Sequence, residues 1–338
     1  MPALTVATFN IEWMNRWFTT DDDPVAFRTA FDDEGVSNDP RVTAGRAAAV
    51  IRAIDPDVLA IQEGPSRDAE LRLFVEEFLS DAGVPRYEWF LGDGGQQKLA
   101  LLYKPGVVTA TLPAPADITL LTDPFPADVD CNAELEDYSF TRTPLVVNLQ
   151  VGGASLQVIV LHTKSSFVNR GEELWQNPAT RQEYVVASLL ARRRNAAEGM
   201  RLRTYLDSLL AAQPDVPVIV VGDLNDGPGA DYFEERYLAR GVVDAIIGTA
   251  FIPEWQFVHA LYDMDPALRF TAIFSDFVTG EVDKLLLLDH VLLSPALRRE
   301  LGSGTIHHAA HEAQLVNSGV RRQDRPSDHR PASVKLLL

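Results

Sequence analysis

Six times in this chain an apolar run meets a cluster of acids, amides or histidines, most plainly in VIVVGDLNDGP, residues 218–228. A run this short and β-branched, after Pro217 and before Gly and Pro, suits a strand buried on both faces. Its polar end must then emerge at a sheet rim, where a rigid scaffold presents side chains to a ligand. Asp, Asn and Gly are also ordinary turn formers, so this stretch taken singly fits a turn as well as a site. The other runs decide. LTVATFN (4–10) leads to Asn10 and Glu12, DVLAIQE (57–63) to Gln62 and Glu63, and LQVIVLHTK (156–164) to His162 and Lys164. DKLLLLDHVLLS (283–294) reads as one long strand with Asp289 and His290 inside it, where a charge is costly unless paired. Ser327-Asp328-His329-Arg330-Pro331 precedes the last run, ASVKLLL (332–338). One polar strand end means little, but six imply a shared rim.

Two more runs, KLALLYKP (98–105) and PLVVNLQV (144–151), complete the expected strands, and Gly152-Gly153 marks a hairpin after the second. Helical spacing covers Pro40 to Ile54, Ala69 to Ala82, and Thr180 to Ala212, the last punctuated only by Gly199. Hairpin-joined strands alternating with helices predict an α/β fold of two sheets packed face to face with helices outside. A single domain over residues 1–338 is expected, with surface insertions near 13–40, 113–140, 166–180 and 249–282. The Asp- and Pro-rich parts, Asp21 to Pro40 and Pro113 to Asp137, read as solvated loops.

At 338 residues and 46% hydrophobic content the chain can bury a sizeable core. Its formal net charge of −18 repels phosphate backbones, so a broad nucleic-acid surface is disfavoured, although a locally positive cleft is not. Cys131 is the only cysteine, which leaves no intrachain disulfide. The N-terminus has no basic or signal-like segment, and no run approaches the roughly 20 apolar residues a membrane span needs. The expectation is a soluble monomer, cytoplasmic by default, or secreted or periplasmic for a chain trimmed of a leader.

The residue types at the rim narrow the chemistry. Asp, Glu and Asn are hard oxygen ligands suited to Mg²⁺, Mn²⁺ or Ca²⁺. With no cysteine cluster and no His-x-x-x-His spacing, a tetrahedral zinc site is disfavoured. Two histidines can handle protons near neutral pH, and Lys164 and Arg142 can neutralise an oxyanion. Together these groups point to phosphoester hydrolysis.

The motifs TFNIEW (8–13), IQEG (61–64), FTRTPL (140–145), LHTKS (161–165), VGDLND (221–226), LDHVLLS (288–294) and SDHRP (327–331) resemble the endonuclease/exonuclease/phosphatase superfamily. This is the DNase I-like group, and the His162-x-Lys164 spacing resembles its HxK-type bacterial members. The resemblance implies a four-layer α/β sandwich of two mixed sheets with the site at one end. It implies Glu63 as principal metal ligand, completed by Asn10 and Asp328, with Mg²⁺ (or Mn²⁺ or Ca²⁺) as the cofactor. Asp223 matches the residue that orients the attacking water, and Asn225 a group that binds a phosphoryl oxygen or a second metal. His329 matches the essential histidine and Asp289 its carboxylate partner. His162 matches a second histidine that protonates the leaving oxygen or holds phosphate, with Lys164 and Arg142 as phosphate contacts. Asp226 and His290 fall outside the pattern and read as turn and structural residues; His307, His308 and His311 read as solvated. The signature of abasic endonucleases and an inositol-phosphate specificity loop are not evident.

These observations favour a metal-dependent phosphodiesterase acting on a small or lipid-like substrate by in-line attack of water. The alternative is a nuclease, supported by the arginine strip Arg192, Arg193, Arg194, Arg201 and Arg203, which could track phosphates. Phosphomonoesters or triesters are a further alternative, since pocket walls decide between them. A binding protein that has lost catalysis ranks last, because the motif positions keep functional residue types. Trp13, Trp17, Phe18, Trp175 and Trp255 are candidates for an apolar rim, although tryptophan more often packs in a core.

Overall fold

A computed structural model describes residues 3–19, 23–31, 39–130, 132–227, 231–238 and 241–338. Cys131 and parts of the acidic 21–40 insertion lie outside the described residues. Two pairs of the apolar runs associate in parallel, and a parallel pair needs a crossover long enough to hold a helix. β1 (Ala3–Asn10) lies beside β2 (Val58–Gln62), with α1 (Pro40–Ile54) in the connection. Later in the chain, β7 (Ala154–His162) lies beside β8 (Val218–Asp223), with the long helix α4 (Arg181–Ala212) between them. The remaining main elements are α2 (Asp68–Phe78), β3 (Glu88–Leu91), β4 (Ala100–Tyr103), β5 (Thr109–Thr111), β6 (Leu145–Val151), α3 (Gly171–Gln176), α5 (Tyr232–Tyr237) and α6 (Val242–Ile247). They are followed by β9 (Val258–His259), β10 (Ala272–Asp276), β11 (Glu281–Leu286), β12 (Asp289–Leu293), β13 (Leu301–Ile306) and β14 (Ala332–Leu337).

Antiparallel neighbours extend each parallel pair into a six-stranded mixed sheet, ordered β13-β14-β1-β2-β4-β3 and β9-β12-β8-β7-β6-β5. The alternation of side chains along each strand then builds three apolar layers. Leu4, Val6, Val58, Ala60, Val158, Val160, Ile219, Val221, Val291 and Leu293 meet between the sheets. Their alternate neighbours Ala7, Phe9, Leu59 and Ile61 pack under α1 and α2. On the other side Ile159, Leu161, Val218, Val220 and Leu292 pack under α4 and α6. Helices therefore cover both outer faces, giving the expected four layers. Gly199 is the one break in α4's sequence because a Cβ there would stand 2.8 Å from Val242 Cγ1, and α6 packs against that gap. None of the described helices is long and apolar enough to cross a membrane.

Two expectations need correction, and one strand was not foreseen. The run 283–294 is not one strand. It breaks at Leu287-Leu288 into β11, which pairs only with β10 as a projecting hairpin, and β12, which joins the second sheet. Uniform hydrophobicity hid the corner. The edge strand β13 (LGSGTI) carried no strand signal, yet it pairs with β14. The insertions are not simply solvated: Phe27 and Phe31 join Trp17 and Phe18 in the layer under α1 and α2, and Leu121 and Phe125 are buried. Their aromatic and leucine side chains outweigh the acidic composition around them.

Candidate active site

Strand parity delivers the polar side chains to one place. Asn10 continues the Leu4-Val6-Thr8 face of β1, and Gln62 the Val58-Ala60 face of β2. His162 continues Val158-Val160, Asp223 continues Ile219-Val221, and Asp289 starts the face of Val291 and Leu293. All five therefore point between the sheets, at the rim where the core runs out. The register closes the arrangement: His162 lies opposite Asp223, and Asp223 opposite Asp289. Across the sandwich, Asn10 Nδ2 donates to Asp223 Oδ2 at 2.9 Å and, more distantly, to Glu63 Oε1 at 3.4 Å. Asn10 Oδ1 accepts the Glu12 N–H at 3.1 Å, which turns the amide nitrogen toward the two carboxylates.

Glu63 follows β2 with φ +55, a left-handed residue that turns the chain at the rim. Its Oε2 accepts from Trp13 N at 2.9 Å and Gln97 Nε2 at 3.1 Å. Gln97 Oε1 in turn accepts from Arg142 Nη2 at 2.8 Å, so one amide joins the acidic and the cationic sides of the site. Ser327 ties the last motif to the first: its Oγ donates to the Asn10 carbonyl at 2.6 Å and accepts the His329 N–H at 3.0 Å. His329 Nδ1 donates to Asp289 Oδ2 at 2.6 Å. Thr271 Oγ1 accepts the N–H groups of Leu288 and Asp289, and its carbonyl accepts that of Arg330 at 2.7 Å, locking the two segments together.

Burial and charge set the protonation states. Burial works to discharge His329, but the charge and hydrogen bond of Asp289 outweigh it and hold the imidazolium well above the ordinary histidine range. Asp223 is pushed up to about 7, by burial first and by the Asp289 charge, with His329 opposing. His162 falls well below its ordinary value because it is buried and faces the charges of Arg142 and His329. It is a neutral ring whose Nε2 stands 3.5 Å from Asp223 Oδ2. Glu63 is raised by burial and by the facing charge of Asp328.

Glu63, Arg142, His162, Lys164, Asp223, Asn225, Asp328 and His329 line one cavity of about 660 Å³, with Asn10 and Asp289 behind its wall. Glu63 and Asp328 are mutually repelling carboxyl groups turned to the same space, and hard oxygen donors of this kind fit a divalent cation. Among the described residues Asp223, Asp289 and His329 also bring ligand-type atoms within 4.8 Å of one another, but there Nδ1 is already committed to Asp289. Asn225, at φ +49, donates through Nδ2 to the Thr163 carbonyl at 3.1 Å. Lys164 Nζ donates to the Ser165 carbonyl at 3.2 Å.

Glu198 was not foreseen. This buried acid on α4 accepts from Tyr138 Oη, Thr141 N, Thr141 Oγ1 and Lys164 N at 2.6–3.0 Å, and so anchors the segments that carry Arg142 and Lys164. Its signal was present: Tyr184, Ser188, Ala191, Asn195, Glu198 and Leu202 form the buried stripe of the helix.

Other readings change. Four of the five arginines of the strip are consumed internally: Arg192 pairs with Asp231, Arg193 donates to the Asp130 carbonyl, Arg201 to that of Leu120, and Arg203 pairs with Asp207. An α-helix turns successive arginines to different neighbours, so no continuous basic track forms. Asp226 is no surface turn residue. It is buried, and its Oδ2 accepts from Val242 N and Val243 N to cap α6. His311 is buried against the Ser327 carbonyl, while His307 and His308 are part-covered and bonded to Ser333 Oγ and the Leu268 carbonyl. Trp17 and Phe18 belong to the core; of the aromatic candidates only Trp13 lines the cavity.

The model of the Endonuclease/Exonuclease/phosphatase family matches residues 7–329. Solved structures similar in fold include truncated TDP2 of Caenorhabditis elegans, 14% identical over 99% of this chain and 98% of that chain, with a TM-score of 0.52. The TDP2 of D. rerio complexed with single strand DNA product is 12% identical over 99% of each chain, at 0.53. The mannosyl-6-phosphatase of Bacteroides thetaiotaomicron is 13% identical over 99% of this chain and 100% of that chain, at 0.54. No curated protein matches the sequence.

Proposed function

The chain belongs to the endonuclease/exonuclease/phosphatase family, whose members are phosphoester hydrolases, and we propose that it is a divalent-metal-dependent phosphodiesterase for a small-molecule or lipid-like substrate. One observation carries this reading: the cavity holding His329, Asp223 and Glu63 continues into an aromatic wall, not a basic groove. Phe167, Tyr184, Tyr232, Phe233, Phe274 and Phe277 line it, and a polyanion finds no track of free arginines there.

In this mechanism Glu63 and Asp328 would hold the cation, and Asn10 positions the carboxylates of Glu63 and Asp223 through its amide nitrogen. A bound Mg²⁺ or Mn²⁺ supplies a Lewis-acidic charge to the phosphoryl group. The other roles belong to the chain. Asp223, raised to about 7, takes a hydrogen bond from the attacking water and can accept its proton. His329, kept cationic by Asp289, donates through Nε2 to a phosphoryl oxygen whose charge grows as water attacks. Arg142, Lys164 and Asn225 bind the remaining oxygens. His162 is neutral at rest and orients Asp223 or the leaving oxygen through Nε2. Hydrolysis forms one P–O bond from water and breaks one to the leaving oxygen, which takes up a proton.

The test is hydrolysis of bis-p-nitrophenyl phosphate beside a supercoiled plasmid, with Mg²⁺ or Mn²⁺ and with EDTA. Metal-dependent nitrophenol release with intact plasmid is expected. Release that survives EDTA would sink the metal, and plasmid nicking would make the chain a nuclease.

A further inference from the structure

The cavity is larger than a phosphoryl group requires, and its far part is built from two helices and a hairpin. At about 660 Å³ it lies in the range of sites that enclose a drug-sized ligand, roughly 300–1,000 Å³. Beyond Lys164 and Asn225 it runs between α4, α5 and the β10–β11 hairpin. The hairpin rises directly from the catalytic segment: Ala272 bridges His329, and the Phe274 ring stands 6.3 Å from the His329 ring.

The aromatic side chains of this lobe form an edge-to-face set. Tyr184 lies 5.4 Å from Phe277 and 5.9 Å from Phe233, with interplanar angles of 63° in both pairs. Tyr232 and Phe233 meet at 5.2 Å and 75°. Gly171 supports the set from behind, because a Cβ there would stand 2.9 Å from Tyr184 and 3.3 Å from Phe277. Phe274 and Phe277, at 40% and 36% exposure, leave ring surface open toward the cavity between the set and His329, and Phe167, at 75%, stands at the same wall. Aromatic pairs in such geometry gain attraction beyond their area burial, so a flat ring extends this array better than a flexible chain. Asn195, buried beside them, has no partner for its Oδ1 among the described residues and supplies a polar edge.

We propose that this lobe is the subsite for the organic group of the ester, and that the group is an aryl ring seated against Phe277 and Phe274 while the phosphoryl group lies at His329. The proposal rests on the phosphoester reading above and adds the substrate class to it.

Calorimetric titration in Mg²⁺ with phenylphosphonate, methylphosphonate and hexylphosphonate tests it. Phenylphosphonate is expected to bind at least about tenfold tighter than methylphosphonate, a difference of about 1.4 kcal/mol. Phe277→Ala should remove most of that preference and leave methylphosphonate unchanged. Phe277→Leu, which keeps an apolar side chain without a ring, should do the same. Equal affinity for the phenyl and methyl compounds overturns the subsite while leaving the phosphoester reading intact. Hexylphosphonate binding as tightly as phenylphosphonate overturns the aryl assignment in favour of an alkyl group. Failure of all three to bind overturns the phosphoester reading, and the subsite with it.

Discussion

Along β12, Asp289 points between the two sheets, and His290, one residue on, points to the helix layer. Both are wholly buried. On the first side, Asp289 accepts from His329 and the pair is ionic, with the imidazolium held well above its ordinary range. On the other side the partners are neutral. His259 Nδ1 accepts the Leu261 N–H at 3.1 Å, so its Nε2 carries the proton and donates to His290 Nδ1 at 2.8 Å. His290 Nε2 then donates to the Asp226 carbonyl at 2.8 Å. Burial lowers His290 to about 4, and the carbonyl does not offset it. Desolvation acts on both histidines in the same direction, so the partner decides: a carboxylate makes a charged site, a carbonyl and an imidazole make a structural link.

That contrast can be broken from either side. The largest effect is expected for His329→Ala, with kcat for a metal-activated diester falling by about 10³-fold or more in a protein of native circular dichroism. Near-wild-type turnover would remove His329 from the machinery. Asp289→Asn keeps the shape and removes the charge, and should lower kcat by about 10²-fold. Equal rates for this variant and wild type would mean that the charge of Asp289 is idle.

Glu198 offers an intermediate case, a buried acid satisfied by neutral donors and raised chiefly by burial. Glu198→Gln turns an N–H group toward N–H and O–H donors. The expected result is KM up by about fivefold with kcat nearly unchanged, as Lys164 and Arg142 lose their anchor. A loss confined to kcat would place Glu198 in the chemistry itself. The smallest effect on turnover is expected for His290→Leu. Leaving the Asp226 carbonyl and the His259 N–H unpaired should cost about 2 kcal/mol in denaturant titrations, with turnover per folded molecule within about threefold. A hundredfold loss of turnover would show that the neutral side of the strand also serves catalysis.

Much of the site was legible because strands have a strict period of two. Leu4-Val6-Thr8-Asn10 and Ile219-Val221-Asp223 carry both their burial and their polar ends in local order. Glu198 and Asn195 were equally local, on the buried stripe of α4, and were hidden only by the charged residues between them. The corner at Leu287-Leu288 was not legible, since leucines on both sides of a break look the same as leucines in a strand. Nor was the fate of Arg192, Arg193 and Arg201, because their partners Asp231, Asp130 and Leu120 are distant in sequence.

The amino-acid sequence by itself determined the reaction class: alternating apolar residues fix which face each terminal acid, amide or histidine occupies, and that is a property of the backbone alone. Tertiary structure decided which of those groups meet. Asn10 touches Asp223 across 213 residues only because the two sheets pack face to face. The same packing held His329 cationic against Asp289 and left His290, one residue on along the strand, neutral. It also gathered rings from α4, α5 and the β10–β11 hairpin into one wall, since a cavity belongs to no single segment and its shape is set by the elements that enclose it.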